Sequence, residues 1–173
     1  MEIVQATSQD GAKISRIFAA SWKKGYKGLV AQDYLDGLRP DHWTAFLEEA
    51  LESGKLWALL ALEGERPAGA LAYGAYRPPT GSQGGGIPGG GYIQALYVHP
   101  DYMGRGCGTA LLQAGEAALA AQGYGCCFLY VLDTNAAARR FYEKQGYAWD
   151  GYALSCKAGE QPLVDLRYRK EFS

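Results

Sequence analysis

The sequence lacks the residues that mark metal sites and nucleic-acid binding. It has two histidines, and its four cysteines, Cys107, Cys126, Cys127 and Cys156, do not have metal-site spacing. We therefore expect no bound metal and interpret the cysteines as reduced core residues. Seventeen Lys and Arg balance eighteen Asp and Glu, for a net charge of -1. Without a basic block, this balance argues against nucleic acid as a partner.

Long apolar runs are also absent. No stretch approaches the length of a membrane span, and the opening MEIVQATSQDGAK has neither the basic nor the apolar region of a secretory signal. We therefore expect a cytoplasmic protein with no membrane partner. The 173 residues are 48% hydrophobic, which is enough for a sizeable core, and we expect residues 1–173 to form a single domain.

Hydrophobic periodicity along the chain alternates between that of strands and that of helices. Predicted strands cover residues 2–7, two segments around the turn at 64–67, and residues 92–98, 126–132, 147–155 and 163–170. Predicted helices cover residues 9–21, 31–53 with a break near Pro40, 109–122 and 135–145. Segment 77–91, RPPTGSQGGGIPGGG, is predicted to be a flexible surface loop. The pattern favours an α/β fold with a mixed sheet flanked by helices.

Three glycines lie between a predicted strand and a predicted helix in HPDYMGRGCGTALL, at positions 104, 106 and 108. A helix N-terminus without side chains nearby lets an anion approach several backbone amides, and Arg105 could add a charge. No Lys-Ser/Thr pair ends the stretch, and Leu111 replaces the third glycine of a dinucleotide loop. The segment is therefore either a different phosphate loop or a tight turn, and the loop alone does not decide between them.

The segments ALYVHPDYMGRGCGTALL and LDTNAAARRFYEKQGY together resemble the two signature segments of the GNAT superfamily of N-acetyltransferases. The resemblance is strong over residues 92–150, and SWKKGYKGLVAQDYLDGL is similar to the first two helices of many small bacterial members. It implies an α+β fold with a mostly antiparallel central sheet of about seven strands, a splayed central pair and about four helices. It also implies acetyl-CoA as co-substrate.

The resemblance assigns the cofactor-binding residues in two groups. The pyrophosphate would be bound by backbone amides of the loop Arg105, Gly106, Cys107, Gly108 and Thr109. The pantetheine arm would pair with Leu96, Tyr97 and Val98, in a strand that leaves its neighbour at a bulge, and one amide there would polarise the thioester carbonyl. Met103 stands where the family usually has Arg or Gln, so a side-chain contact is lost.

The second segment would supply the general acid. The resemblance implies that Asn135 and Ala138 contact the cofactor arm and that Tyr142 faces the sulfur, where a phenol can protonate the departing thiolate. From the residues alone, Asn135 could be only an N-cap and Tyr142 only a core residue. No cysteine has a sequence-visible histidine partner, which favours direct transfer in a ternary complex over a covalent acyl-enzyme.

The general base and the acceptor are not assigned by the sequence. Many family members have a glutamate where this chain has Ala95, Gln94 cannot act as a base, and His99 is interpreted as a turn residue, so we favour a water chain. The resemblance implies that the acceptor, a small-molecule amine or a peptide N-terminus, is held by the first two helices, the loop at 77–91 and the last hairpin. The candidate binding residues are Trp22, Tyr26, Tyr76 and Tyr152, with Gln94 of the central strand. The alternative is that these aromatic residues, Trp22 above all, only pack the core.

The leading hypothesis is therefore an acetyl-CoA-dependent N-acetyltransferase that acts on a primary amine. The alternative is a non-catalytic acyl-CoA-binding or regulatory module of the same fold, motivated by Ala95 and Met103. An ATP-binding protein is disfavoured by the missing Lys-Ser/Thr. Whether the chain forms a homodimer stays open.

Overall fold

Seven strands and five α-helices make up the computed structural model, which describes residues 1–78 and 90–173. The strands are β1 Glu2–Gln5, β2 Trp57–Glu63, β3 Arg66–Ala75, β4 Gly91–Val98, β5 Cys126–Leu132, β6 Ala148–Ala158 and β7 Gln161–Glu171. The helices are α1 Gly11–Gly25, α2 Gln32–Asp36, α3 Thr44–Glu52, α4 Cys107–Ala121 and α5 Ala136–Lys144. Two short 3-10 helices cover Ser8–Asp10 and Pro100–Tyr102. Most of the predicted glycine-rich loop lies outside the described residues.

The strands form one sheet in the order β1-β2-β3-β4-β5-β7-β6. Every neighbouring pair is antiparallel except β4 and β5, which are parallel and joined through α4. These two strands pair only at Gly91 with Cys127 and at Tyr92 with Phe128, although they continue to Val98 and Leu132. The mostly antiparallel sheet of seven strands with a splayed central pair is therefore confirmed.

A β-bulge lies where the pair begins to separate. In the β3–β4 register Ala72 faces Ala95, but the next residue, Tyr73, faces Ile93. Gln94 is thus an extra residue in β4. A bulge bends its strand and increases the local twist, which accounts for the departure of β4 from β5 beyond Tyr92.

Helix α4 packs closely on one face of the sheet because small residues meet at the contact. A Cβ added at Gly115 of α4 would lie 2.8 Å from Leu71 of β3, and one added at Gly91 of β4 would lie 3.0 Å from Leu119. Helices α1 and α3 cover the opposite face, where Ile14, Phe18 and Leu47 are fully or almost fully buried. The sheet is therefore buried on both sides around β3 and β4.

Several predicted boundaries differ from those observed. The helical region expected over residues 31–53 does break near Pro40, and the break covers residues 37–43, so that two separate helices, α2 and α3, bring the number of helices to five where about four were expected. Pro40 lies in the break, and its carbonyl accepts a hydrogen bond of 2.7 Å from the Ser15 hydroxyl of α1. The final hairpin is longer than predicted, because β6 and β7 continue to a turn at Gly159, whose φ is +61°.

Candidate active site

Separation of β4 from β5 opens a cavity of about 160 Å³, here called the splay cavity. It is lined by Ser21 and Gly25 of α1, residues 93–97 of β4, residues 129–131 of β5, and Asn135, Ala138 and Tyr142 of the α5 region. A larger cavity of about 490 Å³, the aromatic cavity, lies between α1, α3 and the β6–β7 hairpin. Both cavities are lined by Tyr26, Gln94, Ala95, Tyr97 and Tyr130. The two spaces therefore meet where the sheet is open.

The backbone of β4 presents hydrogen-bond donors to the splay cavity. The amide of His99, directly after β4, donates to the carbonyl of Ala68 in β3, at 2.8 Å. Because successive residues of a strand direct their amides to opposite sides, the amides of Leu96 and Val98 are directed to the side from which β5 has separated. An extended ligand could bind there as an added strand would.

The glycine loop lies beside Val98, the last residue of β4, in the part of that strand that has separated from β5. Gly104 and Gly106 have φ of +77° and +82°, and Gly106 is the N-cap of α4. Side-chain-bearing residues rarely adopt this left-handed conformation. Gly108, by contrast, is helical, and a Cβ there would lie 3.5 Å from Phe141 and 3.8 Å from Val98. The first turn of α4 is thus next to the ends of β4 and α5.

The groups of the glycine loop that are placed to bind an anion are backbone amides. Cys107 is almost fully buried, so only its main chain can reach a ligand at the loop. The Arg105 guanidinium lies 5.4 Å from the centre of the Tyr102 ring, and it is exposed beside the loop. Amides at a helix N-terminus bind anionic groups because they have no partner in the preceding turn and carry the positive end of the helix dipole.

Asn135 and Tyr142 both line the splay cavity. Asn135 is also the N-cap of α5, since its Oδ1 accepts a hydrogen bond of 3.1 Å from the amide of Ala138. The Tyr142 ring packs edge-on against Phe141 and Tyr147, with centroids 5.2 and 5.9 Å away. Burial raises the pKa of Tyr142 well above its usual value, and nearby Tyr97 and Cys127 add to the increase. Its phenol is therefore protonated at neutral pH.

The candidate acceptor-binding residues separate into two groups. Trp22, Tyr26 and Gln94 line the aromatic cavity. The Trp22 and Tyr26 rings are 4.5 Å apart, and the Tyr26 hydroxyl lies 3.4 Å from that of Tyr97. Tyr76 and Tyr152 are not among the described residues that line either cavity.

Tyr76 and Tyr152 instead contact a buried arginine behind the aromatic cavity. The Tyr76 hydroxyl is 2.7 Å from that of Tyr130 and accepts a hydrogen bond of 3.1 Å from Arg167. The Arg167 guanidinium lies 4.6 Å from the Tyr152 ring centre and pairs with Asp150 at 2.6 Å. Through its hydrogen bond with Tyr76, this group of side chains holds the Tyr130 hydroxyl in place, and Tyr130 lines both cavities.

Sequence reasoning missed Asp165, which lines the aromatic cavity from β7. Asp165 lies opposite Leu132 of β5 and Leu154 of β6. Its Oδ2 accepts a hydrogen bond of 3.5 Å from the Cys156 thiol. Burial raises its pKa above the ordinary carboxyl value. The sequence does contain one indication that Asp165 is unusual, because it is a carboxylate inside the otherwise apolar run LVDL of a predicted strand.

The thiols and histidines of the structure offer no activated nucleophile. Burial raises the pKa of the Cys127 thiol to about 12 and that of Cys156 to about 11, and it also raises the pKa values of Cys107 and Cys126. The Nδ1 of His99 accepts a hydrogen bond of 3.2 Å from the amide of Asp101, as expected of a turn residue.

Within residues 1–78 and 90–173, no three His, Cys, Asp or Glu side chains converge as metal ligands would. None of the helices there combines the length and apolar character needed to span a bilayer.

A central parallel pair that opens at a bulge, with a glycine-rich helix N-terminus at its open end, is the arrangement expected of a GNAT acetyltransferase. A statistical model of the acetyltransferase (GNAT) family matches residues 17–147. The chain therefore belongs to the acetyltransferase (GNAT) family, which confirms the enzyme class expected from the two sequence segments.

Individual relatives agree with this family. The uncharacterized N-acetyltransferase YuaI of Bacillus subtilis is 24% identical over 87% of this chain and 84% of its own. The mycothiol acetyltransferase of Streptosporangium roseum is 37% identical over 46% of this chain, but the match spans only 20% of that protein. Among solved structures, the PaiA N-acetyltransferase of Thermoplasma acidophilum, in complex with coenzyme A, superposes with a TM-score of 0.77 at 20% identity, over 99% of this chain and 98% of that one.

Proposed function

We propose that this chain binds acetyl-CoA along the splay cavity and transfers its acetyl group directly to a primary amine in the aromatic cavity. The observation that carries the proposal is that the two cavities share lining residues at the opening of the sheet. A thioester in one cavity and an amine in the other can therefore meet. The coenzyme A complex of the Thermoplasma relative supports the choice of acyl donor.

Donor binding uses backbone groups on two elements. The amides of Arg105, Gly106, Cys107, Gly108 and Thr109 at the start of α4 bind the pyrophosphate. Residues 96–98 of β4 bind the pantetheine arm, and Asn135 and Ala138 contact it from the start of α5. Acetyl-CoA supplies the activated acetyl group. The loop suits this ligand because its left-handed glycines at 104 and 106 have nothing within 4 Å of an added Cβ.

Two groups of the chain assist the chemical step. An amide of β4 directed into the cavity, that of Leu96 or Val98, donates a hydrogen bond to the carbonyl oxygen as negative charge develops there. Tyr142 donates its phenolic proton to the sulfur as the C–S bond breaks, since the phenol lines the cavity and is protonated at neutral pH. The cysteines take no covalent part, because burial keeps their thiols protonated.

A thiol-release assay over a panel of primary amines tests this function. With acetyl-CoA and a suitable amine, the chain should release free CoA faster than in the absence of amine, and mass spectrometry should find the N-acetylated product. Acetyl-CoA binding without amine-dependent release across the panel would contradict enzymatic transfer. That result would favour an acyl-CoA-binding module, in keeping with Ala95 and Met103 at positions where family members often have functional side chains.

A further inference from the structure

The aromatic cavity contains a single carboxylate among its described lining residues, that of Asp165. Eight aromatic residues line the same space: Phe18, Trp22, Tyr26, Trp43, Phe46, Tyr92, Tyr97 and Tyr130. Aromatic faces attract cations, more strongly where water is excluded. A carboxylate among aromatic rings is therefore suited to a small organic cation.

Asp165 shares the aromatic cavity with residues that also line the splay cavity. Tyr26 and Tyr97 line both cavities, and Asp165 lines the aromatic cavity with them. Besides burial, the largest cause, the negative charge of Asp165 raises the pKa values of Tyr26, Tyr92 and Tyr97. An amine bound in the aromatic cavity can therefore contact Asp165 beside residues that border the splay cavity.

We infer that Asp165 binds the ammonium group of the acceptor and accepts the proton that this group must lose before it attacks the thioester. The inference rests on the function proposed above. It also names the acceptor class, a primary amine on an apolar or aromatic stem. An isolated ammonium group has a pKa of about 10 and is not nucleophilic until it loses a proton. Because this chain has Ala95 where many family members have a glutamate, another group must remove that proton, and the Asp165 carboxylate can do so.

Other charged groups restrict the acceptor further. Arg77 and Lys157 also line the aromatic cavity and are exposed. Two cations near the solvent side repel a second positive charge on the acceptor. A monoamine is therefore favoured over a diamine of similar length.

The titratable and charged groups around Asp165 come from every neighbouring element. They are Tyr26 of α1, Arg77 after β3, Tyr92 and Tyr97 of β4, Tyr130 of β5, Asp133 after β5, and Cys156 and Lys157 of β6. The tyrosines and Cys156 are neutral at pH 7, because burial raises their pKa values. Among the described residues that line this cavity, Asp165 is therefore the group that can accept a proton from the ammonium group of an acceptor.

The protons and electrons balance as follows. Asp165 takes one proton from the ammonium group, and the nitrogen lone pair forms a bond to the carbonyl carbon. As the C–S bond breaks, its electron pair goes to sulfur, which receives a proton from Tyr142. The nitrogen gives up a second proton, which returns to Tyr142 through the site, and the Asp165 proton leaves to solvent. The products are an amide, CoA thiol and one proton.

A matched pair of acceptors tests the role of Asp165. 2-Phenylethylamine is an ammonium ion at neutral pH, whereas O-benzylhydroxylamine has nearly the same shape and is already neutral. Asp165→Asn should lower kcat/KM for 2-phenylethylamine by on the order of 10²-fold and leave kcat/KM for O-benzylhydroxylamine nearly unchanged. In the wild type, kcat/KM for 2-phenylethylamine should fall at low pH as Asp165 becomes protonated, and this fall should be absent from the variant.

Controls separate this inference from a structural role and from the function itself. Asp36→Asn makes the same chemical change at an exposed carboxylate of α2 that is not among the described residues lining either cavity, and it should leave both activities close to wild type. Equal losses on both acceptors, or no loss on either, would overturn the role of Asp165. Hexylamine should be a better acceptor than 1,6-diaminohexane, and the reverse order would overturn the acceptor class. Wild-type protein that acetylates no amine at all would instead overturn the proposed function.

Discussion

Replacing Gly106 with Ala tests whether the loop conformation serves acetyl-CoA. Gly106 has φ of +82°, and nothing lies within 4 Å of an added Cβ, so the substitution meets no steric obstacle. The cost is conformational, because an alanine in the left-handed region is disfavoured by roughly 1 to 2 kcal/mol. For a chain of 173 residues, that corresponds to a fall in Tm of about 2 to 8 °C.

Gly108→Ala is the matched control two residues away. Gly108 is helical, and its added Cβ would make ordinary contacts with Phe141 at 3.5 Å and Val98 at 3.8 Å. Replacing a glycine inside a helix by alanine stabilises it by roughly 0.5 to 1 kcal/mol. The two variants should therefore change Tm in opposite directions, which circular dichroism can measure.

The same variants separate folding from ligand binding. If Gly106→Ala turns one amide away from the pyrophosphate, the loss of a hydrogen bond to a charged group is worth about 1.5 to 3 kcal/mol. Isothermal titration calorimetry should then show the Kd for acetyl-CoA weakened roughly 10- to 100-fold, with a much smaller change for Gly108→Ala. Unchanged affinity in Gly106→Ala would mean that the glycines serve only the turn.

Tyr142→Phe keeps the ring contacts, so Tm and acetyl-CoA affinity should stay near wild type while turnover in the thiol-release assay falls on the order of 10²-fold; wild-type turnover would remove Tyr142 from the mechanism. A Cys126→Ala, Cys127→Ala double variant should retain transfer, because burial raises the pKa values of both thiols; a folded but inactive double variant would indicate an acyl-enzyme. Arg167→Leu should lower the free energy of unfolding in urea by about 1.5 to 3 kcal/mol, since it removes a buried guanidinium that donates hydrogen bonds to Asp150 and Tyr76, and a loss below about 1 kcal/mol would show that these contacts contribute little. Because the pKa of Asp165 is raised in the folded chain, its carboxyl group stays protonated at pH values just above the ordinary carboxyl pKa. In the unfolded chain the same group has already lost its proton at those pH values. Stability should therefore fall as pH rises through that window, and Asp165→Asn should melt higher than wild type at neutral pH; a lower Tm would mean that the charge stabilises the fold.

Local sequence signals predicted most of the secondary structure. Strand β5 has the predicted bounds, and α5 follows directly after Asn135, because periodicity and an N-cap residue are read within a few positions. The same local patterns predicted one helical region with a break near Pro40, but they did not show that residues 37–43 separate two distinct helices. The opening between β4 and β5 was expected only from the family resemblance. A bulge such as that at Gln94 depends on the register with a neighbouring strand, which periodicity does not report.

The acceptor side was harder to predict because its residues come from distant parts of the chain. Tyr76 and Tyr152 were expected there from the family resemblance, but both side chains contact the buried Arg167 and neither is among the described residues that line the two cavities. Asp165 lies in the aromatic cavity because β7 is inserted between β5 and β6 in the sheet. No local pattern shows that order, so the carboxylate found among the described lining residues was visible in the sequence only as a charge in an apolar strand.

A titration of the labelled protein with acetyl-CoA, followed by the backbone amide signals in NMR spectra, tests whether the cofactor occupies the opening between β4 and β5. We expect saturable shifts at Leu96 and Val98 of β4 and at Gly106 and Gly108 of the loop, with no comparable shifts on addition of ATP. If ATP binds more tightly than acetyl-CoA, or if acetyl-CoA binds without moving Leu96 and Val98, acetyl-CoA does not occupy the opening between β4 and β5.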